Sequence, residues 1–83
     1  MYQIYFERTA EKKLLSLPKE IRTRIVVKIT DLASNPRPKG CIKLTNFEDY
    51  RIRIGDYRVI YTIDDDLLTI VVIKVDHRKQ VYR

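Results

Sequence analysis

One stretch in the second half of the chain most constrains the fold, because it has the pattern of a tight β-hairpin. Residues 50–61 read YRIRIGDYRVIY, in which two runs of β-branched and aromatic residues flank Gly55 and Asp56. Glycine at the first central position is what a two-residue type II′ hairpin loop requires. A loop of this kind predicts that Arg53 lies directly opposite Arg58.

The predicted hairpin has two chemically different faces. Because side chains alternate along a strand, Arg51 and Arg53 share one face, and the cross-strand pairing adds Arg58 to it. The other face has the character of a core and carries Tyr50, Ile52, Ile54, Tyr57, Val59 and Tyr61. Like charges directly opposite one another are destabilising, so this pattern indicates a site for an anion that offsets the repulsion. The alternative is a basic face that only contacts solvent, the usual state of charged strand residues.

Length and charge limit the class of protein. The 83 residues predict a single domain over residues 1–83, because a chain this short buries only about 60–65% of its unfolded surface. The net charge of +6 favours nucleic acid or an acidic protein as partner. The one cysteine, Cys41, allows no intrachain disulfide. No apolar run approaches the roughly 18 residues of a membrane span, so we expect a cytoplasmic protein without a membrane partner.

Apolar spacing predicts two helices in the first half of the chain. A short strand at residues 2–6 is followed by Thr9, which is predicted to cap the first helix. The apolar face of that helix comprises Ala10, Leu14 and Leu17. Pro18 suits the first turn of a second helix, where a proline is tolerated. The second helix has an apolar stripe formed by Ile21, Ile25, Ile29 and Leu32.

Everything after the turn-forming residues 35–40 reads as β-structure. Residues 41–44 lead into the hairpin, the three aspartates at 64–66 make a turn, and the apolar residues 67–75 predict a strand covered on both faces. The predicted order is β-α-α-β-β-β, an α+β domain with a helical hairpin packed on one face of a mostly antiparallel sheet. Three adjacent aspartates on a tight turn cannot converge on one ion, so we expect no metal site and no cofactor.

The C-terminal residues 76–83, with the sequence DHRKQVYR, are the second place where chemistry is possible. They include the only histidine of the chain, His77, together with Arg78 and Tyr82. Histidine donates or accepts protons near neutral pH. Taken alone, a histidine in a basic segment is inert more often than not, and a tyrosine near a terminus usually packs against an edge.

The hairpin and the C-terminal residues together resemble the RelE branch of the RelE/ParE toxin superfamily, over the whole chain. The resemblance implies an endoribonuclease toxin that enters the ribosomal A site, where it contacts rRNA and cuts the bound mRNA without a metal ion. It also implies a cognate RelB-like antitoxin that holds the toxin inactive. Operator DNA would be reached only through that antitoxin.

The same resemblance assigns roles to residues. Arg51 and Arg53 stand where the family has two basic strand residues, often lysines, and are expected to bind RNA. The catalytic residues that it implies are Arg58, Arg78 and Tyr82, and His77 is added to them as a candidate for proton transfer. Arginine does not lose its proton at useful pH, so Arg51 and Arg53 can bind phosphate and stabilise charge but cannot act as a general base. The proton acceptor therefore stays open between His77 and Tyr82.

Two alternatives from other functional classes stay open at this point. A ParE-like protein would share the fold but inhibit DNA gyrase by protein contact, without need of the arginines and the tyrosine. A non-catalytic basic module would bind RNA with a steep salt dependence and never cut it.

Overall fold

A computed structural model describes residues 1–44 and 48–77. The elements in chain order are β1 (Gln3–Phe6), α1 (Arg8–Ser16), α2 (Lys19–Asp31), β2 (Ile42–Lys43), β3 (Asp49–Ile54), β4 (Tyr57–Asp64) and β5 (Thr69–His77). The five strands form one sheet in the order β1-β5-β4-β3-β2. Strand β1 pairs with β5 in parallel, and the remaining neighbours are antiparallel. The predicted α+β architecture is thus confirmed, with the short β2 as an additional edge strand.

The core lies between the two helices and one face of the sheet. The helices contribute the predicted apolar positions, of which Ile25, Ile29 and Leu32 are at most 2% exposed. The sheet contributes alternate residues of its three longest strands, namely Ile52, Ile54, Val59, Tyr61, Ile70, Val72 and Val75. The opposite face of the sheet carries the arginines of the hairpin. No helix in the described parts of the chain is long and apolar enough to cross a membrane.

The first helix begins earlier than predicted, and Thr9 does not cap it. The N-cap is Glu7, which makes no side-chain capping bond, and Thr9 lies inside the first turn. The reason is the parallel pairing of β1. The Glu7 N–H donates to the Val72 carbonyl at 2.9 Å, and the Glu11 N–H donates to the Glu7 carbonyl at 3.0 Å, so the helix starts directly where the ladder ends. Tertiary pairing outweighs a local capping preference here.

The last strand starts later than predicted, and its fully buried residues lie on the core face. Leu67 and Leu68 are exposed and belong to the turn after β4, which Asp64 closes by accepting backbone N–H bonds from Asp66 and Leu67 at 3.0 Å. Leu68 adopts the left-handed conformation with φ 52°. Within β5 the buried residues are Ile70, Val72 and Val75, with partly exposed residues between them. The continuous apolar run reflects a bulge that shifts the alternation, because Tyr61 pairs with Val72 whereas Ile60 pairs with Lys74.

A polar network ties the end of the sheet opposite the hairpin loop together. Arg37, in the segment before β2, donates two bonds to the Asp65 carboxylate at 3.2 and 2.9 Å, and Tyr2 donates to the same carboxylate at 2.6 Å. The Arg37 Nε also donates to the Tyr50 hydroxyl at 3.2 Å. The bonds from Arg37 hold the pKa of Asp65 below its usual range. Asp65 therefore serves as a structural anion in the turn that the sequence analysis examined as a metal site.

The buried Tyr61 anchors the same region from within the core. Its side chain is fully buried, and its hydroxyl donates to the Pro36 carbonyl at 2.7 Å. The Cys41 Sγ lies 3.3 Å from that hydroxyl. Burial, followed by the bond with Cys41, raises the pKa of Tyr61 far above its usual value. Tyr61 thus stays protonated and acts as a hydrogen-bond donor that holds the segment before β2.

Candidate functional site

The hairpin between β3 and β4 has the register that the sequence predicts. Gly55 has φ 60°, whereas Asp56 is not among the residues with positive φ, as a type II′ loop requires. Arg53 pairs with Arg58, and Arg51 pairs with Ile60. Because side chains alternate, the three arginines lie on the sheet face that points away from the core, which we call the arginine face.

The arginine face differs in exposure from one residue to the next. Arg53 is exposed, Arg51 is partly buried, and Arg58 is only 7% exposed. Among its contacts, the Arg58 Nη1 donates to the Gly55 and Tyr57 carbonyls at 3.4 and 3.3 Å. These distances are long for N–H···O bonds, so these two bonds are weak. The burial of Arg58 sets it apart from an ordinary solvated arginine.

Strand β5 extends the arginine face with two residues that the sequence analysis missed. Asp76 pairs with Arg58, and Lys74 pairs with Ile60. Across β3, β4 and β5, one set of paired residues is therefore Arg53, Arg58 and Asp76. The next set on the same face is Arg51, Ile60 and Lys74. The bulge in the middle of β5 decides which of its residues face this side, and no local sequence signal marks a bulge of this kind.

The Asp76 carboxylate is held in place by two groups. Its Oδ1 lies 3.6 Å from the Lys13 Nζ of α1 and accepts the His77 N–H at 2.8 Å. The side chain is 20% exposed, against 40% for Lys13. A cavity of about 390 Å³ opens beside this pair, between the start of α1 and the second half of β5.

The register places His77 away from the three arginines. His77 is the last residue of β5 and pairs with Tyr57, so the register places it on the face opposite Arg58. Its ring meets the Tyr57 ring edge to face, with the centroids 5.6 Å apart. The roles predicted for Arg78 and Tyr82 fall outside the residues that the structure describes.

A basic groove lies beside the arginine face, along the outer edge of β3. Strand β2 pairs with β3 only at Tyr50 and Arg51, so residues 52–54 have no partner strand on that side within the described parts of the chain. Two cavities of about 410 and 360 Å³ lie between this edge and α2. Their charged lining residues are Arg24, Lys28, Lys39, Arg51 and Arg53, with Asp31 as the acid.

The groove also offers apolar contact. Val27 and Ile42 line these cavities and are 53% and 47% exposed. An open strand edge with exposed apolar residues and a cationic rim fits an extended acidic segment that adds to the sheet.

A family comparison covers nearly the whole chain. Residues 4–82 match the model for the ParE toxin of type II toxin-antitoxin systems, parDE. The Toxin RelG of Mycobacterium tuberculosis is 34% identical over 84 residues, which cover 99% of this chain and 97% of that protein.

Solved structures with the same fold include complexes and a free toxin. The archaeal RelE-RelB complex from Pyrococcus horikoshii contains a chain with a TM-score of 0.84 and 31% identity, covering 96% of this chain and 98% of that one. The isolated E. coli RelE toxin has a TM-score of 0.83 at 26% identity, covering 99% of this chain and 92% of that one.

Proposed function

This chain belongs to the ParE toxin family of type II toxin-antitoxin systems, within the RelE/ParE superfamily, and we propose that it is a ribosome-dependent endoribonuclease that cuts mRNA in the A site. Two similarities support the RelE-type activity over others of the superfamily: the 34% identity to Toxin RelG and the high TM-scores to RelE structures. The single observation that carries the proposal is the arginine face, on which Arg53 and the buried Arg58 are directly paired.

The reaction that suits this face uses a nucleophile from the RNA itself. The 2′-oxygen attacks the adjacent phosphorus while its proton leaves to a base, the bond to O5′ breaks, and O5′ takes up a proton. The products are a 2′,3′-cyclic phosphate and a 5′-hydroxyl. The protein must align these groups and stabilise the additional negative charge on the phosphorane oxygens.

The residues divide into two proposed tasks. Arg58, together with Arg78, would hold the scissile phosphate and its developing charge, whereas Arg51 and Arg53 would hold the flanking backbone. Tyr82 would stack on a base or assist a proton transfer. Removing a single group that stabilises such charge typically costs about 10²–10³ in rate.

The proposed protein partner is a RelB-type antitoxin. Solved relatives from Pyrococcus horikoshii and E. coli are complexes of RelE with RelB. On this chain, the basic groove along β3 shares Arg51 and Arg53 with the arginine face. An acidic antitoxin segment seated there would neutralise two of the residues proposed to bind RNA, and so would inhibit the toxin.

Gyrase inhibition is the alternative that a specific observation favours. The family model that matches residues 4–82 is that of the ParE toxin, and gyrase inhibition by a ParE-like protein is one of the two alternatives that the sequence left open. Gyrase inhibition has no need of a buried arginine paired across the hairpin. The experiment below therefore separates the two activities.

The test is primer extension on a reporter mRNA in a purified translation system, with ribosomes present or omitted. We expect cuts within codons that require ribosomes and fall at least about 100-fold with Arg58→Ala. The matched control is Arg8→Ala, which removes an exposed cation at the start of α1 and should leave cutting unchanged. A message that stays intact, with supercoiling by purified gyrase inhibited instead, would overturn the proposal.

A further inference from the structure

We propose that Asp76 is the proton acceptor of this reaction, taking the proton from the attacking 2′-hydroxyl. The inference rests on the proposed ribonuclease function and names a catalytic residue for it. The observation behind it is the register of the sheet, which pairs Asp76 directly with Arg58 on the arginine face.

Asp76 and Arg58 are neighbours across the sheet. Residues directly opposite one another in an antiparallel pair have Cβ atoms about 4.5–5.5 Å apart. A ribose whose phosphate contacts the Arg58 guanidinium would therefore lie on the same face of the sheet as Asp76, at the paired position of the next strand. His77 instead pairs with Tyr57 and lies on the opposite face, where its ring contacts the Tyr57 ring.

The two oxygens of the Asp76 carboxylate differ in their contacts. Oδ1 is occupied by the Lys13 ammonium and by the His77 N–H, which together fix the orientation of the group. Oδ2 accepts no hydrogen bond from the described residues, so it is available for a substrate hydroxyl. A fixed carboxylate with one available oxygen is the arrangement that general-base catalysis needs.

Among residues 1–44 and 48–77, the charged groups nearest to Asp76 on this side are cations, namely Arg58 on β4, Lys74 on β5 and Lys13 on α1. Asp49 also lies on the arginine face, but it pairs with Thr62 at the far end of β3. Within the described parts of the chain, Asp76 is therefore the carboxylate that lies at the Arg58 end of the arginine face.

Asp76 and Arg58 act on opposite ends of the bond that forms. The 2′-hydroxyl proton passes to Asp76 Oδ2 as the bond from the 2′-oxygen to phosphorus forms. Arg58 stabilises the negative charge of the phosphorane oxygens, the bond to O5′ breaks, and O5′ takes a proton from water. Asp76 then returns its proton to solvent.

The test measures cutting and binding separately with Asp76→Asn, which keeps the Oδ1 that accepts the His77 N–H. Single-turnover cutting on programmed ribosomes should fall by about 10²–10⁴-fold. Affinity for a ribosome-bound message that is blocked by 2′-O-methyl at the scissile position should be unchanged or tighter, because the substitution removes a negative charge next to the phosphate. A merely structural role would weaken binding and cutting together.

The first control is Asp49→Asn, which should cut at the wild-type rate. The second control is Lys13→Met, which removes the ion pair but keeps the Asp76 carboxylate, so its cutting rate should fall less than that of Asp76→Asn. Asp76→Asn cutting within about twofold of wild type, or Lys13→Met losing as much as Asp76→Asn, overturns the inference alone. A wild-type protein that cuts no message overturns the proposed function and the inference with it.

Discussion

The loop that sets the arginine register offers a quantitative test of the fold, through substitution of Gly55 by L-alanine and by D-alanine. Gly55 has φ 60°, and an L-residue in the left-handed region costs about 1–2 kcal/mol. A Cβ at this position would have the Arg24 Nη2 as its nearest neighbour, at 3.9 Å. The cost of L-alanine is therefore conformational, with no clash added to it.

For a domain of this size, a loss of 1 kcal/mol lowers Tm by about 4–8 °C, so Gly55→Ala should lower Tm by roughly 4–16 °C. D-alanine adopts positive φ without strain and restricts the unfolded chain, so it should raise the free energy of unfolding by about 0.4–1 kcal/mol. Total chemical synthesis of the chain provides both variants, and guanidinium denaturation measures them.

The control is Asp56→Ala, at the other loop position, which should change stability by no more than about 0.5 kcal/mol. If L-alanine at Gly55 were as stable as glycine, or if the D- and L-alanine variants lost equal stability, the type II′ loop and the register argued from it would be refuted.

Three further predictions concern the rest of the fold. Tyr61→Phe should lower the free energy of unfolding by about 0.5–1.5 kcal/mol in urea denaturation, because it removes the hydrogen bond to the part-buried Pro36 carbonyl. Arg37 holds the pKa of Asp65 below its usual value, so the stability that this pair contributes is present above pH of about 4 and is lost as the pH falls through the lowered pKa. The free energy of unfolding, measured across acid pH, should therefore decrease less in Asp65→Asn than in the wild-type protein. Leu68→Asn should raise stability by about 0.5–1 kcal/mol in thermal melts, because asparagine tolerates the left-handed conformation that Leu68 adopts with φ 52°; a lower Tm would contradict this.

The elements that the sequence predicts well are those whose signals are local. The Gly55 loop and the alternation around it determine the pairing of Arg53 with Arg58, and the structure has that pairing. The stripe that includes Ile25 and Ile29 likewise predicts the buried side of α2. In each case the periodicity of side chains and one turn residue are sufficient.

The features that sequence reasoning missed depend on contacts between distant segments. The start of α1 follows from the parallel pairing of β1 with β5, which outweighs the capping preference of Thr9. Leu67 resembles strand in the sequence, yet the bonds to Asp64 hold it in the turn. The place of Asp76 beside Arg58 depends on the bulge in β5, so the carboxylate of the candidate site emerged only from the register of the sheet.

The measurement that tests the central claim most directly is the mass of the RNA fragments that the wild-type protein leaves on programmed ribosomes. Attack by the 2′-hydroxyl predicts upstream fragments that end in a 2′,3′-cyclic phosphate and downstream fragments that begin with a 5′-hydroxyl. Upstream fragments with a 3′-hydroxyl and downstream fragments with a 5′-phosphate would show that water is the nucleophile. That result, or a message without fragments, would contradict the reaction assigned to the arginine face.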